Sequence, residues 1–337
     1  MGRVEYGGVI GLHLYDWGSM ETKTRKIILD CDPGIDDAVA LCLALAADDI
    51  DLLAITAVEG CVSADQANRN VQVIFEQLDP AKWPRIGSAT PTPGAPAVDT
   101  RFLHGDDGLG NLGPGGSAYH HPHGSDKLIC DLVRAYPNEV SIVMLGPATN
   151  VAKAFRRDPG IESLVDRLVI MGGSVEGVGN ITANAEFNVY FDPESARQVA
   201  HSRTTKTLVP LDVTRQIPFY LDLMDTIPDS TSRLGRLLRQ MLPFAFRAYR
   251  QRMGQEGIFL NDVIALLAFL EPDLFEAESM AMDVEVSGDL SRGMTLFDRR
   301  PHPEWRPNAE VVRSVNEPLL RERIQLRLRK AGVLFAD

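Results

Sequence analysis

The feature that most constrains the fold of this 337-residue chain is a repeated alternation of short apolar runs with segments of helical periodicity. An apolar run at residues 27–29 precedes a helix-forming segment at residues 36–45, and a strand-like run at 51–58 precedes helical spacing over 64–77. This order predicts consecutive β-α-β-α units rather than separate runs of strands and helices.

The same alternation recurs further along the chain. The later predicted elements are strands at 140–145, 168–171 and 207–211, a helix at 147–155, and a helix that Asp192 caps with Pro193 at its first position. Strands this apolar need cover on both faces. The sequence therefore predicts an α/β fold with a mostly parallel sheet between helices, and a ligand site at the carboxyl ends of the strands.

Two segments interrupt the alternation. Residues 87–125 are rich in Gly, Pro and His and are typical of a long loop, while residues 216–260 have helical spacing and are placed to cover the same end of the sheet. Neither segment shows the composition of a linker, so we predict one domain over residues 25–337. Residues 1–24 have no clear periodicity and are interpreted as an N-terminal tail or extension.

Charge and apolar run length limit the partners. The 46 acidic and 34 basic residues give a net charge of -12, which repels nucleic-acid phosphates and anionic lipid. The longest uncharged apolar stretch, residues 38–47, is about half of the ~20 residues that span a bilayer. The four cysteines have no metal-ligand spacing and are too few for a disulfide scaffold. We expect a cytoplasmic protein without a nucleic-acid or membrane partner.

The strongest local signal is a cluster of carboxylates at a predicted strand-to-helix turn. Asp30, Asp32, Asp36 and Asp37 lie within eight residues, separated by Pro33 and Gly34. Such like charges repel one another unless a cation compensates them, and Ca²⁺ or Mg²⁺ prefers oxygen ligands. The alternative is that Asp36 and Asp37 only favour a helix N-terminus and Asp30 only ends a strand. That alternative leaves Asp32 unexplained, so we favour a metal site.

Further polar residues lie at expected strand ends and loops. Asn180, Glu186 and Asn188 follow the predicted strand at 168–171, and Asn261 and Asp262 open an apolar helix. Taken singly, the asparagines are typical of turns and Asp262 is typical of a helix N-cap. Taken together, these side chains are suited to surround a polyhydroxylated ligand.

Six motifs in order along the chain resemble the nucleoside hydrolase family, in particular its inosine–uridine-preferring type. The resemblance covers roughly residues 26–297. It implies an open, mostly parallel Rossmann-like sheet with helices on both faces, assembly into homodimers or homotetramers, and hydrolysis of the N-glycosidic bond of ribonucleosides to ribose and free base. The motifs span residues 30–38, 145–150, 171–173, 179–180, 185–188 and 211–214.

The resemblance also implies a role for individual residues. Asp32, Asp37, the backbone carbonyl of Leu145 and Asp262 would bind Ca²⁺, and the ion would hold a water and the ribose 2′- and 3′-hydroxyls. Asp32 would be the general base that takes a proton from that water.

Five further residues would contact the sugar by the same resemblance. Asp36 and Asn188 would bind ribose hydroxyls, Asn180 and Glu186 would bind the 5′-hydroxyl, and Met171 would lie close to the ring. Carboxylates near the ring would stabilise positive charge as the C1′–N bond breaks.

The sequence departs from the family pattern at two positions. The family's ribose-binding asparagine after the second strand falls on Cys61, and the histidine proposed to protonate the leaving base falls on Asn261. An amide donates a hydrogen bond but is not a general acid near neutral pH. These departures keep two alternatives open: a non-hydrolytic nucleoside- or ribose-binding protein, and a hydrolase of an unusual riboside.

A phosphoryl-transfer enzyme with paired aspartates, of the haloacid dehalogenase type, is disfavoured. Pro33 and Gly34 follow the second aspartate where those enzymes have Gly-Thr or a similar pair, and no basic phosphate clamp is evident.

Several aromatic and histidine side chains have no firm assignment. His104 lies where the family commonly has a His-Gly pair, and Tyr249 on the predicted covering helix is a further candidate near the leaving base. For Trp83 we favour packing over base stacking. The histidine-rich run at 119–123 is interpreted as surface loop rather than as a zinc site, because it has no acidic or cysteine partner at suitable spacing.

Overall fold

The computed structural model describes residues 24–113 and 123–336. The predicted N-terminal tail, apart from Thr24, and the histidine-rich run, apart from His123, lie outside the described residues. No helix within these two ranges combines the length and the apolar character that are needed to cross a membrane.

The described residues form eleven strands and twelve α-helices. The strands are β1 (Arg25–Cys31), β2 (Ile50–Ala57), β3 (Arg85–Ser88), β4 (His123–Gly124), β5 (Val140–Met144), β6 (Leu168–Met171), β7 (Lys206–Val209), β8 (Phe275–Met280), β9 (Met282–Val284), β10 (Thr295–Phe297) and β11 (Ala309–Val315). The helices are α1 (Ile35–Leu45), α2 (Ala64–Leu78), α3 (Arg101–His104), α4 (Ser125–Ala135), α5 (Thr149–Arg157), α6 (Phe187–Phe191), α7 (Pro193–Ala200), α8 (Leu211–Thr214), α9 (Leu223–Thr226), α10 (Arg233–Ala248), α11 (Asn261–Leu270) and α12 (Glu317–Leu334).

Nine strands form one sheet in the order β4-β3-β2-β1-β5-β6-β7-β11-β8. All neighbouring pairs are parallel except β11 with β8, and β9 and β10 form a separate antiparallel pair. The chain first builds outward from β1 to β4 and then returns to place β5 on the other side of β1. The loops that leave β1 and β5 therefore diverge, which opens a crevice at their carboxyl ends.

Helices cover both faces of the sheet, as the apolar strands predict. Alternate strand residues point to opposite sides, so Ile27 and Leu29 pack with α1, α2, α10, α11 and α12, while Ile28 packs with α4, α5 and α7. This confirms the predicted α/β architecture with a mostly parallel sheet.

Most predicted elements are confirmed to within a few residues. Asp192 caps α7 as expected, because its carboxylate accepts the Ser195 backbone N–H at 3.0 Å. The predicted strand at 207–211 ends at Val209, because Leu211 already begins α8. The segment predicted as one long loop, 87–125, contains α3 and β4, and only 233–253 of the segment predicted as helical forms a long continuous helix, α10 with a terminal π-turn.

Candidate active site

A cavity of about 410 Å³ opens at the carboxyl ends of the central strands. All eleven residues that the family resemblance assigns to metal, water or substrate positions line this cavity, although they come from widely separated parts of the chain. They are Asp32, Asp36, Asp37, Cys61, Leu145, Met171, Asn180, Glu186, Asn188, Asn261 and Asp262.

Asp32 follows β1 directly and is held from the neighbouring strand. The backbone N–H of Cys61, just after β2, donates to Asp32 Oδ2 at 2.6 Å, and the Cys61 thiol donates to the Asp32 carbonyl at 2.7 Å. Gly60 and Gly146 leave space for the carboxylate. A Cβ atom at Gly60 would lie 2.1 Å from Oδ2, and one at Gly146 would lie 2.6 Å from Oδ1.

Asp37 and Asp262 bring two further buried carboxylates to Asp32. Asp37 Oδ2 accepts the Gly34 backbone N–H at 3.0 Å in the first turn of α1, and Asp262 lies in the first turn of α11. Asp37 Oδ1 is buried and has no hydrogen-bond partner among the described residues.

Burial and mutual repulsion make this group of carboxylates difficult to ionise together. Burial, followed by the nearby Asp37, raises the pKa of Asp32 well above its usual range, and burial with the neighbouring aspartates does the same for Asp262. Burial and the charge of Asp36 raise the pKa of Asp37 to about 7. A bound cation would offset both effects.

The donor chemistry fits a hard divalent cation. Oxygen atoms of Asp36, Asp37 and Asp262 lie within 4.8 Å of one another, and ligand atoms of Asp32, Asp37 and Cys61 form a second such group. Asp37 belongs to both groups, and one of its oxygens is buried without a partner among the described residues. Carboxylate oxygens are the ligands that Ca²⁺ and Mg²⁺ prefer. The Asp-rich cluster could thus bind a metal ion.

Asn188 and Glu186 are placed by the short helix α6. The Asn188 side-chain amide donates to the Leu145 carbonyl at 2.6 Å and lies 3.3 Å from the Met171 carbonyl. Glu186 accepts three backbone N–H groups, from Gly173, Asn188 and Val189, at 3.0–3.1 Å. Burial raises the pKa of Glu186 to about 7 although these three hydrogen bonds oppose the shift.

A fourth buried aspartate, Asp30, supports the site from within the sheet. Its Oδ1 accepts hydrogen bonds from Thr56 Oγ1 at 2.6 Å and from Asn150 Nδ2 at 2.8 Å, and Asn150 also donates to the Ala57 carbonyl. Asn150 thereby ties the first turn of α5 to both β1 and β2.

The residues without a firm assignment now have positions. His104 lines the cavity, and its Nδ1 accepts the Ile35 backbone N–H at 3.1 Å, which fixes a neutral ring with the proton on Nε2. Tyr249 also lines the cavity and packs edge-on against Phe259. Trp83 instead stacks on Phe75 at 5.0 Å outside the cavity, which confirms the packing interpretation.

Asn261 occupies the cavity wall beside Asp262. Its side-chain oxygen is buried and has no partner within the described ranges. The side chain at this position of the cavity wall carries no titratable proton.

Arg215 lines the cavity and was not singled out by the sequence. It lies one residue beyond α8, and among the described lining residues it is the one lysine or arginine. The sequence signal that could have drawn attention to Arg215 is its three-residue spacing from Asp212, because residues three apart lie on the same face of a helix. The apolar side of the cavity, formed partly by Phe102, Met253 and Phe259, was also missed.

A model of the family described as inosine-uridine preferring nucleoside hydrolase matches residues 27–322. The chain belongs to this nucleoside hydrolase family. It is therefore a hydrolase that acts on N-glycosyl bonds. The match includes every cavity residue that the sequence predicted.

Curated relatives within the nucleoside hydrolases cover most of the chain. Uridine nucleosidase 1 of Arabidopsis thaliana is 32% identical over 303 residues, 88% of this chain and 86% of its own length. The non-specific ribonucleoside hydrolase RihC of Escherichia coli (strain SE11) is 35% identical over 277 residues, 81% of this chain and 88% of its own length.

Solved nucleoside hydrolase structures have the same fold. A purine-preferring ribonucleoside hydrolase from Gardnerella vaginalis superposes with a TM-score of 0.84 at 27% identity, covering 92% of this chain and 100% of that chain. The plant nucleoside hydrolase PpNRh1 gives a TM-score of 0.84 at 28% identity, covering 93% and 100%.

Proposed function

We propose that this nucleoside hydrolase cleaves ribonucleosides to ribose and free base with a bound Ca²⁺ ion and with Asp32 as the general base. The observation that carries the proposal is the group of three buried carboxylates, Asp32, Asp37 and Asp262, at the wall of a cavity of about 410 Å³. One buried oxygen of Asp37 has no partner among the described residues.

Asp32, Asp37, Asp262 and the Leu145 carbonyl are the proposed cation ligands. When bound, the cation would supply Lewis acidity that makes a water molecule easier to deprotonate and would orient the ribose diol. The Leu145 carbonyl already accepts the Asn188 amide, but a carbonyl oxygen has two lone pairs and can serve a second partner.

Asp32 takes the proton of the attacking water in this proposal. Its carboxylate is fixed by the Cys61 N–H and confined by Gly60 and Gly146, so the accepting oxygen is held in place before substrate arrives. Such preorganisation lowers the entropic cost of the step.

The sugar is oriented by side chains on three other segments. Asp36 and Asn188 bind ribose hydroxyls, and Asn180 and Glu186 bind the 5′-hydroxyl, with Met171 packing near the ring. These anionic and carbonyl groups stabilise the positive charge that develops as the C1′–N bond breaks.

The leaving base departs next to Asn261 rather than a general acid. Loss of a general acid typically costs about 10²–10⁴-fold in rate. We therefore expect slower cleavage of bases that need protonation than of bases that leave as stabilised anions.

Release of ribose from inosine, uridine, cytidine, adenosine and guanosine, measured with and without chelator, tests the proposal. Chelator-sensitive release from one or more of them supports it. Absence of release from all of them by protein that contains Ca²⁺ would favour the alternatives that Cys61 and Asn261 raise, a nucleoside-binding protein or a hydrolase of an unusual riboside.

Two variants separate the roles of the residues. Asp32→Asn is expected to abolish release while circular dichroism stays unchanged, and near-wild-type turnover would remove Asp32 from the role of base. Asn261→His is expected to raise turnover on inosine. Assembly into a homodimer or homotetramer and a cytoplasmic location remain predictions, which size-exclusion chromatography with light scattering and cell fractionation test.

A further inference from the structure

The loop between β6 and α6 carries Asn180 and Glu186 into the cavity, and two side chains hold it, one from α8 and one from the residue that follows α8. The Asp212 carboxylate of α8 accepts the backbone N–H groups of Val175 and Glu176 at 2.7 and 3.0 Å. Three residues later, the Arg215 guanidinium donates to two carbonyl oxygens further along the same loop.

The two carbonyls that Arg215 holds are those of Val178 and Gly179, at 3.1 and 2.6 Å. They immediately precede Asn180, so the guanidinium fixes the backbone from which the Asn180 side chain projects. The backbone is closely packed at this point, because a Cβ atom at Gly179 would lie 2.2 Å from the Thr182 carbonyl oxygen.

The loop closes on itself just beyond these contacts. The Asn180 backbone N–H donates to the Ala185 carbonyl at 3.0 Å, and Asn180 Oδ1 accepts the Phe187 N–H at 2.8 Å. Since Phe187 follows Glu186, one hydrogen-bonded unit sets the relative position of the two residues assigned to the 5′-hydroxyl.

We propose that Arg215 is a positioning residue for recognition of the substrate 5′-hydroxyl, acting through the 178–180 backbone on Asn180; this rests on the proposed function. Arg215 also lines the cavity itself. Its positive charge counteracts part of the effect of burial on the pKa of Glu186 and so favours the anionic, hydrogen-bond-accepting form of that side chain.

Arg299 is a matched control, because it also restrains the loop between β6 and α6 but does so away from Asn180. Arg299 donates to the Val175 carbonyl at 3.3 Å and pairs with Glu176 at 3.0 Å, but it does not line the cavity. It contacts the end of the loop that is remote from Asn180 in sequence.

The test compares wild type, Arg215→Met, Arg215→Lys and Arg299→Met on two substrates. The substrates are the nucleoside that wild type cleaves fastest and its 5′-deoxy analogue, which lacks the recognised hydroxyl. For Arg215→Met, kcat/KM on the nucleoside should fall about 10-fold or more, while kcat/KM on the 5′-deoxy analogue should change less than about 2-fold. Arg215→Lys should recover part of the loss, and Arg299→Met should show no selective loss.

Three results would overturn the inference: equal losses on both substrates, no loss on either, or the same selective loss in Arg299→Met. Failure of the proposed function is distinguishable, because wild type would then release no ribose from any nucleoside. In that event the dissociation constants of the same nucleoside pair, measured by calorimetry for the same four proteins, decide the inference by the same criteria. If wild type binds neither compound, the inference is refuted.

Discussion

Substitution of Gly60 by alanine is expected to disable the site while leaving the fold in place. The added Cβ would lie 2.1 Å from Asp32 Oδ2, whereas real Cβ atoms essentially never come within 3.0 Å of another heavy atom. Asp32 and residue 60 must therefore separate by about 0.9 Å. The φ angle of Gly60 is not in the left-handed region, so alanine adds no backbone strain there.

The magnitude follows from the displacement. A misplacement of about 1 Å in a reacting group costs on the order of 100-fold in rate, so we expect kcat/KM to fall about 100-fold in Gly60→Ala. Overpacking of this kind typically lowers the free energy of unfolding by about 1–3 kcal/mol, which leaves a chain of this size folded.

The assay measures ribose release at saturating Ca²⁺ together with urea denaturation of the same preparation. Gly124→Ala is the control, because a Cβ there meets a side-chain atom of Asp126 at 3.1 Å, away from the cavity. A folded Gly60→Ala protein with near-wild-type kcat/KM would refute the argument that the Asp32 carboxylate must occupy its present position.

Three further predictions concern stability. Lys206 is buried, and burial lowers its pKa from 10.5 to about 8. Between pH 8 and pH 10.5, Lys206 is therefore mostly protonated in the unfolded chain and mostly neutral in the folded chain. The free energy of unfolding of wild type, relative to Lys206→Met, should therefore rise by about 3 kcal/mol from pH 8 to pH 10.5 in urea titrations, and a constant difference would contradict this. Asp192→Ala removes the acceptor of the Ser195 N–H at the start of α7 and should cost about 1 kcal/mol in the free energy of unfolding, with Asp192→Asn costing less. Asn150→Ala removes one donor from buried Asp30 and should cost about 1–3 kcal/mol by denaturant unfolding, and a neutral effect would show that Asn150 does not bind the strands together.

The sequence predicts the central part of the fold well because that part depends on local periodicity. The strands β1, β2, β5, β6 and β7 and the helices α1, α2, α5, α7 and α11 follow from apolar spacing and from capping residues such as Asp192. The four-residue α3 and the two-residue β4 are too short to produce a period, and they were therefore included in a predicted loop.

The antiparallel pairing of β8 with β11 was not predicted either. The paired residues are 29 to 40 positions apart, and exposed residues such as Glu276 and Glu278 interrupt the apolar pattern of β8. Non-local pairing of this kind leaves no mark within a short window of sequence.

The site was predictable to the extent that its residues belong to recognisable motifs. Asp32, Asn180 and Glu186 line one cavity as the motifs imply. Arg215 was missed because its function is defined by carbonyl oxygens, which every residue possesses, and sequence does not reveal which backbone a side chain reaches. For the same reason, the motif at residues 145–150 does not reveal that Asn150 contacts Asp30 and the Ala57 carbonyl.

The distribution of the cavity residues along the chain links ligand binding to the protein's resistance to unfolding and proteolysis. Asp32 and Asp262 lie 230 positions apart in the sequence, so unfolding separates carboxylates that the fold brings to one cavity. A ligand that binds only the folded chain raises its free energy of unfolding by mass action, by about 2.7 kcal/mol at a ligand concentration 100 times the dissociation constant. Supply of the ion or of nucleoside would thus set the protein's resistance to proteolysis, and the enzyme would persist where its substrate is abundant.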